Sequence, residues 1–109
     1  MNKIMGLLTM ARRAGKLSLG MDMSKDACKS GISKGVCTAT DISPKSLKEI
    51  MFVCMCENVP LYSLGIDMKS VGIELGKSVG IISVNDGGFM KKAKTYMEEI
   101  EIDNDMFNV

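Results

Sequence analysis

A chain of 109 residues, 46% hydrophobic and 25% charged, carries enough apolar side chain for one core and too little length for an active site between two lobes. That balance excludes a disordered or fibrous chain, and no apolar run approaches the roughly 20 residues of a membrane helix. The formal net charge of +1 hides a division: residues 1–97 hold all fourteen Lys and Arg against eight acids, a surplus of six, while 98–109 carry the other five acids.

In chain order, Ile4, Leu7, Leu8, Ala11 and Ala14 recur at helical spacing, which predicts a helix over roughly Lys3 to Ala14 that Gly15 caps. A short extended piece from Lys16 to Leu19 leads to Gly20, and Asp22 can cap a second helix that runs to about Ser30 before Gly31. Val36 to Thr40, between Gly35 and Asp41, reads as a buried strand. Ser43 and Pro44 then start a helix with Leu47, Ile50, Met51 and Cys54 on one face, and Asn58 with Pro60 marks its stop. Leu61 to Leu64 is the next strand. A fourth helix begins near Asp67 and presents Met68, Val71 and Leu75, with Gly72 and Gly76 leaving room for close backbone packing. Gly80 to Val84 is a strand, and Asp86 caps a last helix whose face carries Met90, Ala93, Met97 and Ile100 before an acidic tail frays.

Strands that are apolar throughout and alternate with helices imply a sheet covered on both faces, an α/β/α sandwich. One domain over 1–97, followed by an acidic tail over 98–109, is the expected organisation. The basic surplus of the body suits a polyanionic partner, although ordinary solvated lysines give the same count. Cys28, Cys37, Cys54 and Cys56 form no Cys-x-x-Cys pair, and the chain has no histidine, so no metal is expected and buried thiols are the simpler reading. Two residues of helix rotate Cys54 and Cys56 about 200° apart, which prevents chelation from one face. Asn85-Asp86-Gly87-Gly88 lacks the Gly-Lys-Ser/Thr ending of a phosphate loop and reads as a capped turn. With no histidine, nucleophile motif or cofactor fingerprint, neither an enzyme nor a cofactor nor a small-molecule substrate is expected. The opening residues reach Arg12 and Arg13 without a secretory cleavage pattern, so the expected location is cytoplasmic.

Several segments share a source of likeness. Leu7-Leu8-Thr9-Met10-Ala11-Arg12-Arg13-Ala14-Gly15-Lys16-Leu17 with Gly20, then Ala39-Thr40-Asp41-Ile42-Ser43-Pro44 and Asn58-Val59-Pro60-Leu61, are three of them. Val71-Gly72-Ile73-Glu74-Leu75-Gly76-Lys77 and Val84-Asn85-Asp86-Gly87-Gly88-Phe89 complete the series. In this order and at these intervals they resemble the bacterial branch of the L7Ae/L30e ribosomal-protein family, across nearly all of residues 4–97.

The resemblance implies an L30e-like three-layer sandwich with a mixed four-stranded sheet. It also implies a partner, structured RNA of the kink-turn type, with ribosomal RNA and ribosome association within its scope. Members grip such RNA with the start of the second helix, where backbone amides favour phosphate, while a loop after the third strand supplies apolar contacts to an extruded base. Carried onto this chain, the helix start is Gly20, Met21, Asp22, Met23, Lys25 and Asp26, and the apolar loop is Leu64, Ile66 and Met68. Arg12, Arg13 and Lys16, at the end of the first helix and the turn beyond it, are further candidates for RNA contact, although cations in a last helical turn also complement the helix dipole.

The family pattern Gly-x-Asn-Glu-x-x-Lys is altered here, with Asp22 for Asn, Met23 for Glu and Asp26 for Lys. Asp22 keeps an acceptor for a guanine edge, but Asp22 and Asp26 share a helix face and turn two carboxylates toward phosphate. Pairing of Asp22 with Lys25 and of Asp26 with Lys29 would partly neutralise that face, and a first-turn carboxylate also favours the helix itself. An alternative therefore stands beside RNA binding: an interaction module of the same fold that has lost tight kink-turn recognition.

Overall fold

Asn2 opens the first helix, its Oδ1 accepting a hydrogen bond from the Ile4 N–H at 2.9 Å. The computed structural model describes residues 2–107. Helix α1 spans Lys3–Arg13, strand β1 Leu17–Leu19, α2 Met21–Lys29, β2 Gly35–Thr38 and α3 Pro44–Glu57. There follow β3 Leu61–Ser63, α4 Met68–Leu75, β4 Ile81–Val84, α5 Gly87–Ala93, a 3₁₀ turn Lys94–Tyr96, β5 Glu98–Glu99 and a 3₁₀ turn Asn104–Phe107.

Most helix ends fall where short-range chemistry puts them. Ser43 caps α3 by accepting from the Ser46 N–H, Pro44 occupies its first turn, and Asn58 closes it in the left-handed conformation at φ 55°. Asp67 and Asp86 cap α4 and α5 by accepting from the N–H groups of Ser70 and Phe89. Asp22 does not cap α2: the cap position belongs to Gly20 at φ 94°, and Asp22 lies inside the first turn.

Among the described residues the sheet has five strands in the order β1-β4-β2-β3-β5, with β2 and β3 parallel and every other pair antiparallel. The expected count of four is corrected by β5, where Glu99 pairs with Tyr62 and Glu98 with Ser63. The expected fraying from residue 98 gives way to this pairing and to an Ile100 N–H that donates to the Leu61 carbonyl at 2.8 Å. Two glutamates carry no hydrophobic alternation, so the edge pairing leaves no mark on the residue pattern. As exposed charges they suit an outermost strand, where they discourage further pairing. Residues 108 and 109 of the expected tail lie outside the described residues.

Strand alternation divides the core in two. Val36, Leu61 and Ile81 face α2 and α3, with Ile50, Met51 and Cys54. Their neighbours Cys37, Tyr62 and Ile82 face Ile4 and Leu8 of α1, Val71 of α4 and Met90 of α5. The layers are thus helix, sheet and helix. The last helix ends at Ala93 instead of running on, so Met97 packs on the second of these clusters and Ile100 on the first, from outside any helix.

Candidate nucleic-acid interface

The corner between β1 and α2 is pinned at its backbone. The Gly20 N–H donates to the Ile81 carbonyl at 2.8 Å, and the Gly20 carbonyl accepts from the Ser24 N–H at 3.0 Å. A φ of 94° is a conformation that side chains other than glycine's seldom adopt, so Gly20 makes the sharp entry possible. Because glycine has no side-chain acceptor, no side chain caps the first-turn amides. Below them, buried Ser24 and Ala27 let α2 lie close to the sheet. A polar network holds it there: Ser83 and Ser33 share a hydrogen bond of 2.7 Å, Ser83 donates to Asn85 Oδ1, and Asn85 donates to Ser18 Oγ at 2.9 Å.

Beside this corner lies an open groove of about 400 Å³. Gly20 and Met21 form one wall, Ile42 and Ser43 of the β2–α3 loop another, and Met68 with Ser78, Val79 and Gly80 the third. The walls are tied together: Met68 N–H donates to Asp41 Oδ1 at 2.9 Å, and Ala39 N–H donates to the Gly80 carbonyl at 2.8 Å. Gly80 is where the walls meet most closely, since a Cβ there would lie 2.4 Å from Ile42 Cγ2 and 2.9 Å from Met68 Sδ. Gly72 plays the related part in α4, where a Cβ would come within 3.1 Å of Ser78 Cα.

The residues expected to contact a ligand are divided by the fold. Asp22, Met23 and Asp26 are exposed on α2, and Met21 is half-buried at the groove wall. Of the loop after β3, only Met68 joins them. Leu64 is 4% exposed and belongs to the core between the sheet and α1, so it cannot offer an apolar contact: its N–H donates to the Thr38 carbonyl, and it continues the inward alternation of Tyr62. Ile66 leans on that same core beside Met5 and Ile73, away from Gly20.

Arg12 and Arg13 are exposed, with the Arg12 guanidinium over Gly76 at the end of α4. Lys16 sits at the other end of β1, where its carbonyl accepts from the Asn85 N–H. The strand therefore holds it about 13 Å from Gly20 at about 3.3 Å per residue. The residue pattern missed Ile42, Ser43, Ser78 and Val79. Ile42 and Ser43 belong to a strand-to-helix turn whose residues carry no sign of a contact, Ser78 and Val79 belong to no motif, and only strand order brings them to α2.

Charge on the α2 face is also rearranged. Lys25 pairs with Glu49 of α3, Nζ to Oε2 2.8 Å, rather than with Asp22 as the helical spacing suggested. That hydrogen bond raises the Lys25 pKa above its ordinary 10.5, with smaller help from Asp22 and Asp26, and lowers that of Glu49 below its ordinary 4.5. Asp67 is held below its ordinary value by the hydrogen bonds of Ser70 at the α4 cap.

Three of the thiols are buried, but Cys56 is exposed, which corrects the expectation for that residue. Cys28 and Cys54 share a hydrogen bond across α2 and α3 that eases the first proton from Cys28 and holds the second on Cys54. Among the described residues no group of three or more His, Cys, Asp or Glu is placed to hold a metal ion, and no helix is long and apolar enough to cross a membrane.

Residues 2–94 match the model of the Ribosomal protein L7Ae/L30e/S12e/Gadd45 family. The chain is similar to an Enterococcus faecium protein named RNA-binding protein YlxQ, with 29% identity over 96 residues that cover 88% of this chain and 92% of the relative. A solved structure of a protein with unknown function from Bacillus halodurans C superposes with a TM-score of 0.81 at 26% identity, covering 88% of this chain and 97% of the other.

Proposed function

As this chain belongs to the ribosomal protein L7Ae/L30e/S12e/Gadd45 family, we propose that it is a non-catalytic, cytoplasmic RNA-binding protein of the translation apparatus that recognises structured, kink-turn-like RNA. The observation that carries this reading is the meeting of the glycine-capped start of α2 with Met68 and the Ser78–Gly80 return around one groove. Uncapped amides suit phosphate, and an adjoining groove lined by Met21, Ile42, Met68 and Val79 suits the face of a base extruded from a helix. Asp22 and Met23, exposed in the first turn of α2, are the side chains assigned to the edges of non-canonical pairs, and the exposed Arg12 and Arg13, with Lys16 farther back along β1, are assigned to outlying phosphates. The YlxQ name of the Enterococcus faecium relative supports the same class of partner.

Fluorescence anisotropy against a kink-turn RNA, a matched duplex and a single strand, each at two salt concentrations, tests the proposal. Preference for the kink-turn is expected; equal and negligible binding to all three refutes it. A second reading has its own observation. Asp22 and Asp26 are exposed while Lys25 is engaged by Glu49, so the face that would meet phosphate presents carboxylates. On that reading the chain is an interaction module without tight kink-turn binding, and Met23→Glu with Asp26→Lys restores the RNA affinity.

A further inference from the structure

A second groove, of about 560 Å³, runs between α2 and α3. Both helices start beside the groove described above, α2 at Gly20 and α3 next to Ser43, so this furrow leads away from it as a continuation. Its rim carries Lys25 and Lys29 from α2 and Lys45 and Lys48 from α3, against two carboxylates, Glu49 and Glu57. Glu49 is already held by Lys25, and among the described residues Lys29, Lys45 and Lys48 make no salt bridge along the furrow.

The floor carries an aromatic ring that no core requirement explains: Phe52 projects from α3 with 47% of its surface exposed. What stands against it is Phe107, whose ring centroid is 5.3 Å away in an edge-to-face arrangement at 62°. Phe107 arrives on the acidic segment that includes Glu101, Asp103 and Asp105. An aromatic ring on an anionic strand is thus what already occupies a basic groove with an aromatic floor, and that is the chemistry of a nucleotide.

We propose that the α2–α3 groove binds a single-stranded RNA segment, with a base stacked on Phe52 and phosphates along Lys29, Lys45 and Lys48, and that Phe107 occupies the base position when RNA is absent. This rests on the reading of the chain as an RNA-binding protein and extends it to the strand that leaves the structured element. Stacking supplies affinity without sequence preference, because every base has an aromatic face, and the lysines add a salt-dependent backbone contribution.

The test uses the full chain, hexauridylate, and a kink-turn RNA made blunt or with a single-stranded uridine extension, in fluorescence anisotropy across a salt series. The extension is expected to tighten binding by at least about fivefold, and Phe52→Ala to abolish that gain. Lys45→Ala with Lys48→Ala should flatten the salt slope for hexauridylate by about 1.4. Lys91→Ala with Lys92→Ala, on the opposite helical layer, should leave the hexauridylate slope unchanged. Phe107→Ala vacates the seat and should tighten hexauridylate binding roughly two- to tenfold, the worth of one aromatic pair.

Far-UV circular dichroism verifies that each variant folds, which the exposure of Phe52 favours. If the blunt kink-turn binds and the extension adds nothing, or the gain survives Phe52→Ala, the groove proposal is overturned while the general RNA reading stands. If no kink-turn binds, the kink-turn reading fails, and hexauridylate affinity that falls with Phe52→Ala still upholds the groove and the broader RNA-binding reading; negligible binding of hexauridylate as well overturns both. A peptide of residues 101–107 binding the Phe107→Ala protein more tightly than hexauridylate does would assign the groove to an acidic peptide and overturn the RNA occupant.

Discussion

Lys25 of α2 and Glu49 of α3 join the two helices on one side of the sheet, with 2.8 Å between Nζ and Oε2, and the bond withdraws a cation from the helix start that faces the candidate interface. The pair lies at the surface, so its gain is local charge placement more than stability. Glu49→Gln should therefore strengthen RNA binding and steepen the dependence of log K on log salt by about one. An unchanged slope in a salt titration would mean that Lys25 makes no phosphate contact even when free.

The same pair sets a pH dependence whose sign is fixed. Glu49 titrates below its ordinary 4.5, so its contribution is present above that value and is lost as pH falls through the depressed one. Lys25 titrates above its ordinary 10.5, so its contribution is present below that value and is lost as pH rises through the elevated one. Carbon-detected NMR titration of the Glu49 carboxyl should show a depressed midpoint that Lys25→Ala moves back upward. A midpoint that ignores Lys25→Ala would contradict the assigned cause.

Gly80 and Gly87 should respond oppositely to alanine. At Gly80 the new methyl meets Ile42 and Met68, so Gly80→Ala is expected to cost about 1–3 kcal/mol in urea unfolding and to distort the groove beside α2. At Gly87 nothing lies within 4 Å, and Gly87→Ala should stay within about 1 kcal/mol of the parent. Equal effects at the two positions would show that close packing at Gly80 does not govern the groove.

Truncation after Met97 tests where the domain ends. It removes β5 together with the packing of Ile100 and Ile102, and uncovers the edge of β3. Roughly 2–4 kcal/mol of stability should be lost, from the apolar surface these residues bury. A truncated chain as stable as the parent would instead support a domain complete at residue 97 with an independent acidic tail.

Thiol chemistry should follow access. Cys56 is exposed and is expected to react at once with a disulfide reagent, whereas Cys28, Cys37 and Cys54 should react only on unfolding. Burial pushes the Cys37 thiol up to about 12, which removes its thiolate at neutral pH as well as its access. Mass spectrometry after brief alkylation reads the result directly, and modification of Cys37 in the folded protein would contradict its placement in the core.

The residues alone determined whatever depends on neighbours a few positions apart. Pro44 and Asn58 bound α3, Asp86 caps α5, and the all-apolar strands announce a sheet covered on both faces. These features are short-range because helix capping, backbone dihedral preference and side-chain alternation act within one or two turns or along one strand. The cap at the start of α2 was misplaced by two residues, because Asp22 is the stronger capping type while Gly20 supplies the dihedral that the turn needs.

Only the tertiary structure decided which distant segments stand beside that start. The strand order places β4 between β1 and β2, which brings Gly80 and Val79 to Gly20. It turns Leu64 into core, pairs Lys25 with Glu49, and gives two glutamates an edge to bond to. Such contacts depend on backbone hydrogen bonds and packing between elements remote in the chain, and a residue's type does not record which remote partner it will meet.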